Sequence, residues 1–398
     1  MQNWFKNMDG RTNQSAIAVW WRKTDRILLG IFISLMVLSA VLVTASSPPV
    51  AKRIGFSPSH FVDKQYFFLS MSLILMIFIS WLDKSTIRKL AVIGLIISLL
   101  IMCILPIIGA DAKGAKRWLN LGFITLQPSE FMKPCFIIMV AWILAEREKN
   151  KQFPIYKLSI SLFLFVLILL LLQPDVGMVM TVTMIFGAML FIAGIKGWII
   201  GVLGAAGIAI LFGAYMFFPH VANRINGFID PASTDNYQVT KSLDAFDSGG
   251  ITGRGLGEGV VKWSLPDAHT DFIYAVIAEE FGLIFTAAAV IAYGFIVVRG
   301  LRQAMEAKEM FVKLALAGLT VQLGLQAFIN MGVAVHLLPA KGMTLPFLSY
   351  GGSSMLAIAF TAGAILGLGK RQYGQHGQQY SQNMLTQEMQ YNLMNAKR

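Results

Sequence analysis

The chain has 398 residues, 56% of them hydrophobic and only 14% charged, with a mean hydropathy of +0.64. An ordinary soluble domain carries about 25% charged residues, so this composition excludes a water-soluble globular fold. The formal charge of +12 invites a nucleic-acid reading, but the placement of lysine and arginine along the chain accounts for it without such a partner.

Residues 1–26 form a charged N-terminal tail. The apolar run that follows lacks a small-residue cleavage site, so it is expected to stay as a helix and not to be removed as a signal peptide. Runs long enough to cross a bilayer then recur along the chain. Ten spans are expected, at 27–46, 66–82, 90–109, 128–145, 155–173, 177–194, 197–218, 272–298, 311–335 and 350–369. The fold class is an all-α polytopic integral membrane protein with one long outer loop, 219–270. With the N-terminus inside, the inner segments collect Arg22, Lys23, Arg26, Lys84, Arg88, Lys89, Arg147, Arg299, Arg302, Lys308, Lys370 and Arg371. The positive-inside rule then places both termini in the cytoplasm. The tail 370–398 is rich in Gln, Asn, Tyr and Met. Its first reading is disorder and its second a partner-binding segment. Cys103 and Cys135 both fall inside spans, which argues against a disulfide framework or a metal cluster.

Ionisable groups at membrane depth are costly and mark function or pairing. In GAKRWLNLGFITLQPSEFMKP, 114–134, Lys116, Arg117 and Trp118 make a basic and aromatic outer loop. A helix is expected to start at Pro128, a favoured first position. Gln127, Glu130 and Lys133 recur every three residues and share a face. Glu130 and Lys133 either neutralise each other as a structural pair or line a cavity. In QPDVG, 173–177, Asp175 reads as part of a simple turn.

SLPDAHTDFIYAVIAEEFG, 264–282, opens a helix with Asp271 at its mouth, where a plain N-cap is the bland reading. Helix geometry rotates Glu279 about 80° and Glu280 about 180° from Asp271. Glu279 is therefore expected to face the space beside Asp271, and Glu280 to pair with a neighbouring helix. GRGLGEG, 253–259, has loosely nucleotide-like glycines but no strand before it or helix after it, so it is rejected as a dinucleotide fingerprint. LLPAKGMTLPFLSYGGSS, 337–354, is an irregular loop holding Lys341, and such backbone is tolerated at membrane depth only against protein or a wet cavity. Gly351 and Gly352 also read simply as small residues that let helices approach.

Counting spans from the N-terminus, the helices starting near Pro128, Asp271 and Tyr350 all present their N-termini to the outer face. Helix N-termini attract anions. With Arg117, Lys133 and Lys341 nearby, the outer mouth is suited to an amphiphile with a phosphorylated head.

KRWLNLGFITLQPSEFMK, QPDVG, NRINGFIDP, GGITGRGLGEG, LPDAHTDFIYAVIAEEFG and LLPAKGMTLPFLSYGGSS occur in the order found in the SEDS family (shape, elongation, division and sporulation) of bacterial cell-wall polymerases. The chain resembles that family over most of residues 110–360. The KGMTLP form of the last motif resembles the division branch more than the elongation branch. The resemblance implies ten transmembrane helices and polymerisation of lipid II into glycan strands at the outer face of the cytoplasmic membrane. It also implies a class B penicillin-binding protein transpeptidase and other divisome proteins as partners, at the septum. By motif match, Asp271 takes the place of the essential outer-loop aspartate. Arg117, Trp118, Glu130 and Lys133 match residues that the family uses around its central cavity, and Gln127, His269, Glu279, Lys341 and Ser349 complete the candidates for the substrate diphosphate or the cavity. Two roles stay open for Asp271, general base or ligand of a divalent cation (Mg or Mn); no organic cofactor is expected. A lipid II flippase and a non-catalytic divisome scaffold are the competing readings.

Overall fold

In the computed structural model the residues described are 15–112, 115–120, 122, 125–148, 150, 152, 154–217, 222, 226–228, 237–339 and 342–370. The chain is mostly helical. A short helix α1 (Ala16–Lys23) is followed by α2 (Arg26–Arg53), α3 (His60–Trp81) and α4 (Lys84–Ile108). After a small sheet come α5 (Pro128–Ala145), α6 (Ile155–Leu172), α7 (Val176–Ile192) and α8 (Gly197–Phe217). The last group is α9 (Tyr237–Gly249), α10 (Ile273–Glu306), α11 (Met310–Ala334) and α12 (Gly352–Leu368). A helix thus lies over each of the ten apolar segments. Among the described residues, seven of these helices are long and apolar enough to cross a membrane, and α7 and α12 are shorter apolar helices.

Burial follows from a lipid-facing exterior. α5 is buried over 83% of its apolar window and α11 over 67%, whereas α4 and α10 are buried over only 28%. The central pair therefore packs against protein on most sides. The outer helices leave large apolar side chains such as Ile74, Ile107 and Ile291 exposed, a surface that water would not tolerate at this extent.

Three features depart from the sequence reading. The fold is not purely helical, because β1 (Ala110–Ala112), β2 (Ala115–Asn120) and β3 (Thr125–Leu126) form an antiparallel sheet in the order β1-β2-β3. The basic and aromatic loop is thereby folded into a hairpin cap on the bundle. The long loop 219–270 is not featureless, since it contains α9, whose Ser242 hydroxyl donates to the Ala334 carbonyl at 2.7 Å.

Finally, α10 is not continuous. Gly282 sits at φ 76°, ψ −174° and breaks it after little more than two turns. The loop after α9 inserts its backbone there. Arg254 and Gly255 donate to the carbonyls of Glu279 and Glu280 at 3.0 Å each, and Leu283 donates to Gly250 at 2.9 Å. A break in a helix frees backbone groups that must be satisfied internally, and this loop satisfies them. The contact is possible because the loop is glycine there: a Cβ on Gly253 would lie 2.2 Å from the Glu280 carbonyl oxygen.

Candidate active site

The site lies where three helix N-termini converge. Gln127, the residue before α5, donates its backbone N–H to the Ser353 hydroxyl in the first turn of α12 at 3.0 Å, and that hydroxyl donates to the Thr125 carbonyl at 2.9 Å. Tyr350, just before α12, donates to the His269 carbonyl just before α10 at 2.8 Å. Beyond the break at Gly282, α10 leads away from the site to Glu306 at the other end of the bundle.

Asp271 is half-buried at this mouth. It is not the helix cap: that position is Phe272, and no side-chain capping bond is made there. Asp271 is held through its backbone instead. The Asn330 amide donates to the Asp271 carbonyl at 2.8 Å and to the Met343 carbonyl at 2.6 Å. This draws the segment 342–350 against it, so that a Cβ on Gly342 would lie 3.1 Å from Asp271 Oδ2.

The irregular segment after Gly342 is satisfied carbonyl by carbonyl. Gln326 donates to Thr344 at 3.1 Å, Tyr293 to Pro346, and Ser39 to Leu348 at 2.9 Å. Ser349 accepts from Leu345 N–H at 2.7 Å and is buried, so its hydroxyl shapes this turn and does not face the mouth. This is how non-helical backbone persists inside an apolar bundle.

One layer deeper, Glu130 and Lys133 form an ion pair at 2.9 Å, with the lysine only 1% exposed. Lys133 also donates to Gln326 Oε1 at 3.4 Å. Gln326 therefore ties the pair on α5 to Thr344, whose hydroxyl lies 2.5 Å from that of Ser354. Gln322, Gln326 and Asn330 recur every fourth residue on α11 and face inward as a polar stripe; all three are buried. These residues escaped the sequence reading, although their spacing inside an apolar run was visible. They carry no charge, and charge was the signal followed.

The other candidates are placed plainly. Arg117 docks on the QPDVG turn: it donates to the carbonyls of Gln173 at 2.9 Å and Pro174, with Asp175 at 3.9 Å. Asp175 in turn caps α7 by accepting from Met178 N–H. Trp118 is half-buried in β2. His269 packs its ring on Phe61 and Tyr350 at 4.6 and 5.2 Å. Burial pushes its pKa down to about 4, with Arg53 acting in the same sense and Asp267 against it, so the imidazole is neutral. Lys341 falls outside the described residues.

Glu279 does not face Asp271's space. Its carboxylate is fully buried and accepts from Val260, Val261 and Lys262 N–H at 2.5, 2.6 and 3.0 Å, capping the 3-10 turn Val261–Trp263. Glu280 pairs with Lys262 of the same loop at 2.5 Å, not with a neighbouring helix. Helix-wheel angles failed here because the loop lies over the break and reaches both carboxylates.

Among the described residues no group of three His, Cys, Asp or Glu side chains is placed to hold a metal ion. A cation bound here would need its remaining oxygens from a substrate, as Mg²⁺ commonly takes them from phosphates.

Residues 25–373 match the family of cell cycle proteins that comprises FtsW, RodA and SpoVE. The chain belongs to this SEDS family. A probable peptidoglycan glycosyltransferase FtsW of Caulobacter vibrioides is 45% identical over 92% of this chain and 94% of its own length. The FtsW relative from Saccharophagus degradans is 38% identical over 84% and 90%. Among solved structures, a chain from a peptidoglycan synthase complex that coordinates polymerization and crosslinking superposes with a TM-score of 0.72 at 26% identity, covering 88% of this SEDS chain and 99% of that one. The crystal structure of Thermus thermophilus RodA gives 0.67, also at 26% identity, over 89% and 99%.

Proposed function

We infer that this SEDS protein is a peptidoglycan glycosyltransferase that polymerises lipid II into glycan strands at the outer face of the cytoplasmic membrane during septal wall synthesis. The names of its FtsW relatives support the activity and the division role. The observation that carries the site is Asp271, locked by Asn330 between two helix N-termini at the end of the bundle away from Ala16 and Lys370. We place that end outside, with ten spans and both termini cytoplasmic, because the lysines and arginines collect at the other end.

In the reaction the 4-hydroxyl of an incoming lipid II sugar attacks the anomeric carbon of the growing strand. The bond to the lipid diphosphate breaks as the new glycosidic bond forms. Asp271 takes the hydroxyl proton, a contribution of about 10² to 10⁴ in rate for a positioned base. The helix N-termini of α5, α10 and α12 receive the charge that develops on the departing diphosphate. The buried Lys133–Glu130 pair forms the floor beneath. A second role for Asp271, as one oxygen ligand of Mg²⁺ or Mn²⁺ shared with the diphosphate, is separated from the first by titrating the metal: loss of all activity on chelation favours it. A transpeptidase of the class B penicillin-binding type is the proposed partner, and other divisome proteins the proposed company. The structural relative from a synthase complex supports a partner of this kind.

A lipid II transporter is the second reading. It draws on Gln322, whose side-chain amide lies deeper along the α11 stripe, buried and with no hydrogen-bond partner among the described residues. A scaffold reading leaves this polar layer without a purpose. Reconstitution with the transpeptidase partner and labelled lipid II decides between enzyme and transporter: glycan polymer supports the enzyme. Movement of lipid II across sealed vesicles without polymer overturns it.

A further inference from the structure

At the end of the bundle opposite Asp271 lies a cavity of about 1060 Å³, walled by α1, the α3–α4 turn, the last turns of α10, the start of α11 and the segment Gly367–Lys370. The proposed glycosyl transfer makes no use of it. Its charges do not cancel. Each lining carboxylate is already engaged: Asp25 caps α2 and binds Arg299 at 2.6 Å and Gln303 at 2.5 Å. Asp83 caps α4, Glu306 pairs with Arg302 at 2.9 Å, and Glu309 pairs with Lys84.

Lys23 and Lys308 also line the cavity, and neither has an ion-pair partner among the described residues. Lys370 completes the cationic side, donating to the carbonyls of Trp81 and Leu82 at 2.9 Å each. Burial and the neighbouring ammonium of Lys23 both lower the Lys370 pKa, against an opposing effect of Asp83. With six lysine and arginine side chains against four carboxylates in its lining, the cavity is net cationic and suits an anion.

The wall beside these lysines is aromatic. Trp20 and Trp81 meet edge to face at 6.0 Å, and the Trp20 indole N–H is fixed on Ser80 at 2.9 Å. α1 leaves Ile17 and Trp21 exposed and ends in Arg22 and Lys23. Tryptophan with flanking lysine and arginine is the composition of a membrane–water boundary. Basic pockets between helices at that level hold phosphorylated lipid heads.

We propose that this cavity binds the phosphate head of an anionic glycerophospholipid, seated on Lys23 and Lys308 against the Trp20–Trp81 wall. It is a second lipid site, separate from the polymerising mouth.

The test uses the full-length protein in neutral detergent, with thermal unfolding followed as phosphatidylglycerol, phosphatidylcholine or inorganic phosphate is added. A ligand that binds only the folded state raises the unfolding temperature in proportion to its occupancy. The expected result is a rise with phosphatidylglycerol alone. The double variant Lys23→Gln/Lys308→Gln keeps the lipid-free unfolding temperature and binds phosphatidylglycerol at least about tenfold more weakly, a loss of about 1.4 kcal/mol. Native mass spectrometry of the same samples counts retained lipid. An equal response to phosphatidylcholine, or an undiminished response in the double variant, overturns the proposal. So does an equal response to inorganic phosphate, which would identify a soluble phosphate ligand instead.

Discussion

Both N–H bonds of the Asn330 amide end on carbonyls, one of Asp271 and one of Met343. Replacing it by leucine strands one part-buried and one buried carbonyl, at about 1–3 kcal/mol each, and releases Asp271. Asn330→Leu is expected to lower kcat at least about tenfold with KM little changed, because positioning acts on the transition state; steady-state kinetics with lipid II checks this. His269 supplies a prediction in pH. The folded imidazole titrates near 4, the unfolded one near 6.5. Between those values the unfolded chain binds more protons, so stability is full above about pH 6.5 and falls as pH drops toward 4. A plot of unfolding temperature against pH should show that decline, and His269→Phe should flatten it. Asp271, Glu130 and Lys133 were legible in the sequence because charge inside apolar spans is conspicuous. Gln326 and Asn330 were not, since neutral amides stand out only once their carbonyl partners are known. Glu279 was read onto the wrong partner because the N–H groups that donate to its carboxylate lie 17–19 residues upstream, and an angle on a helical wheel carries no information about a covering loop.

The segment GGITGRGLGEG is the element that the sequence left without a purpose. Its glycines turn out to be the surface that fits the break in α10. A Cβ on Gly282 would lie 2.4 Å from both the Gly253 nitrogen and the Ile251 oxygen, and the residue holds φ 76°. Gly282→Ala therefore both strains the backbone and pushes the loop away, and is expected to lower the unfolding temperature and to expose the 249–262 loop to protease. The Lys262–Glu280 pair is almost wholly buried. Glu280→Ala leaves a buried ammonium, which costs about 3–5 kcal/mol, whereas replacing both partners by methionine restores most of that loss. A denaturation series on the wild type, Glu280→Ala and the double methionine variant measures the difference. The ten helical segments were legible to within a few residues at most boundaries, because apolar runs of this length admit little else. The sheet 110–126 was not, as its strands are short and its residues polar enough to read as a loop.

At the scale of the molecule, the two ends of the bundle differ in chemistry. One end gathers three helix N-termini around Asp271, over a buried polar layer on α5 and α11. The other gathers lysines, arginines and tryptophans around a cavity that Ala16 and Lys370 both line. The braced α10 joins the two. The central claim is that Asp271 performs chemistry and is not a structural residue. The most direct measurement is glycan polymer formed per unit time by the purified protein with its transpeptidase partner and labelled lipid II, wild type against Asp271→Ala, with unfolding temperatures taken on the same samples. The account predicts a loss of about a hundredfold or more in rate with the unfolding temperature essentially unchanged. Polymerisation by Asp271→Ala at the wild-type rate, in a protein equally well folded, would contradict it.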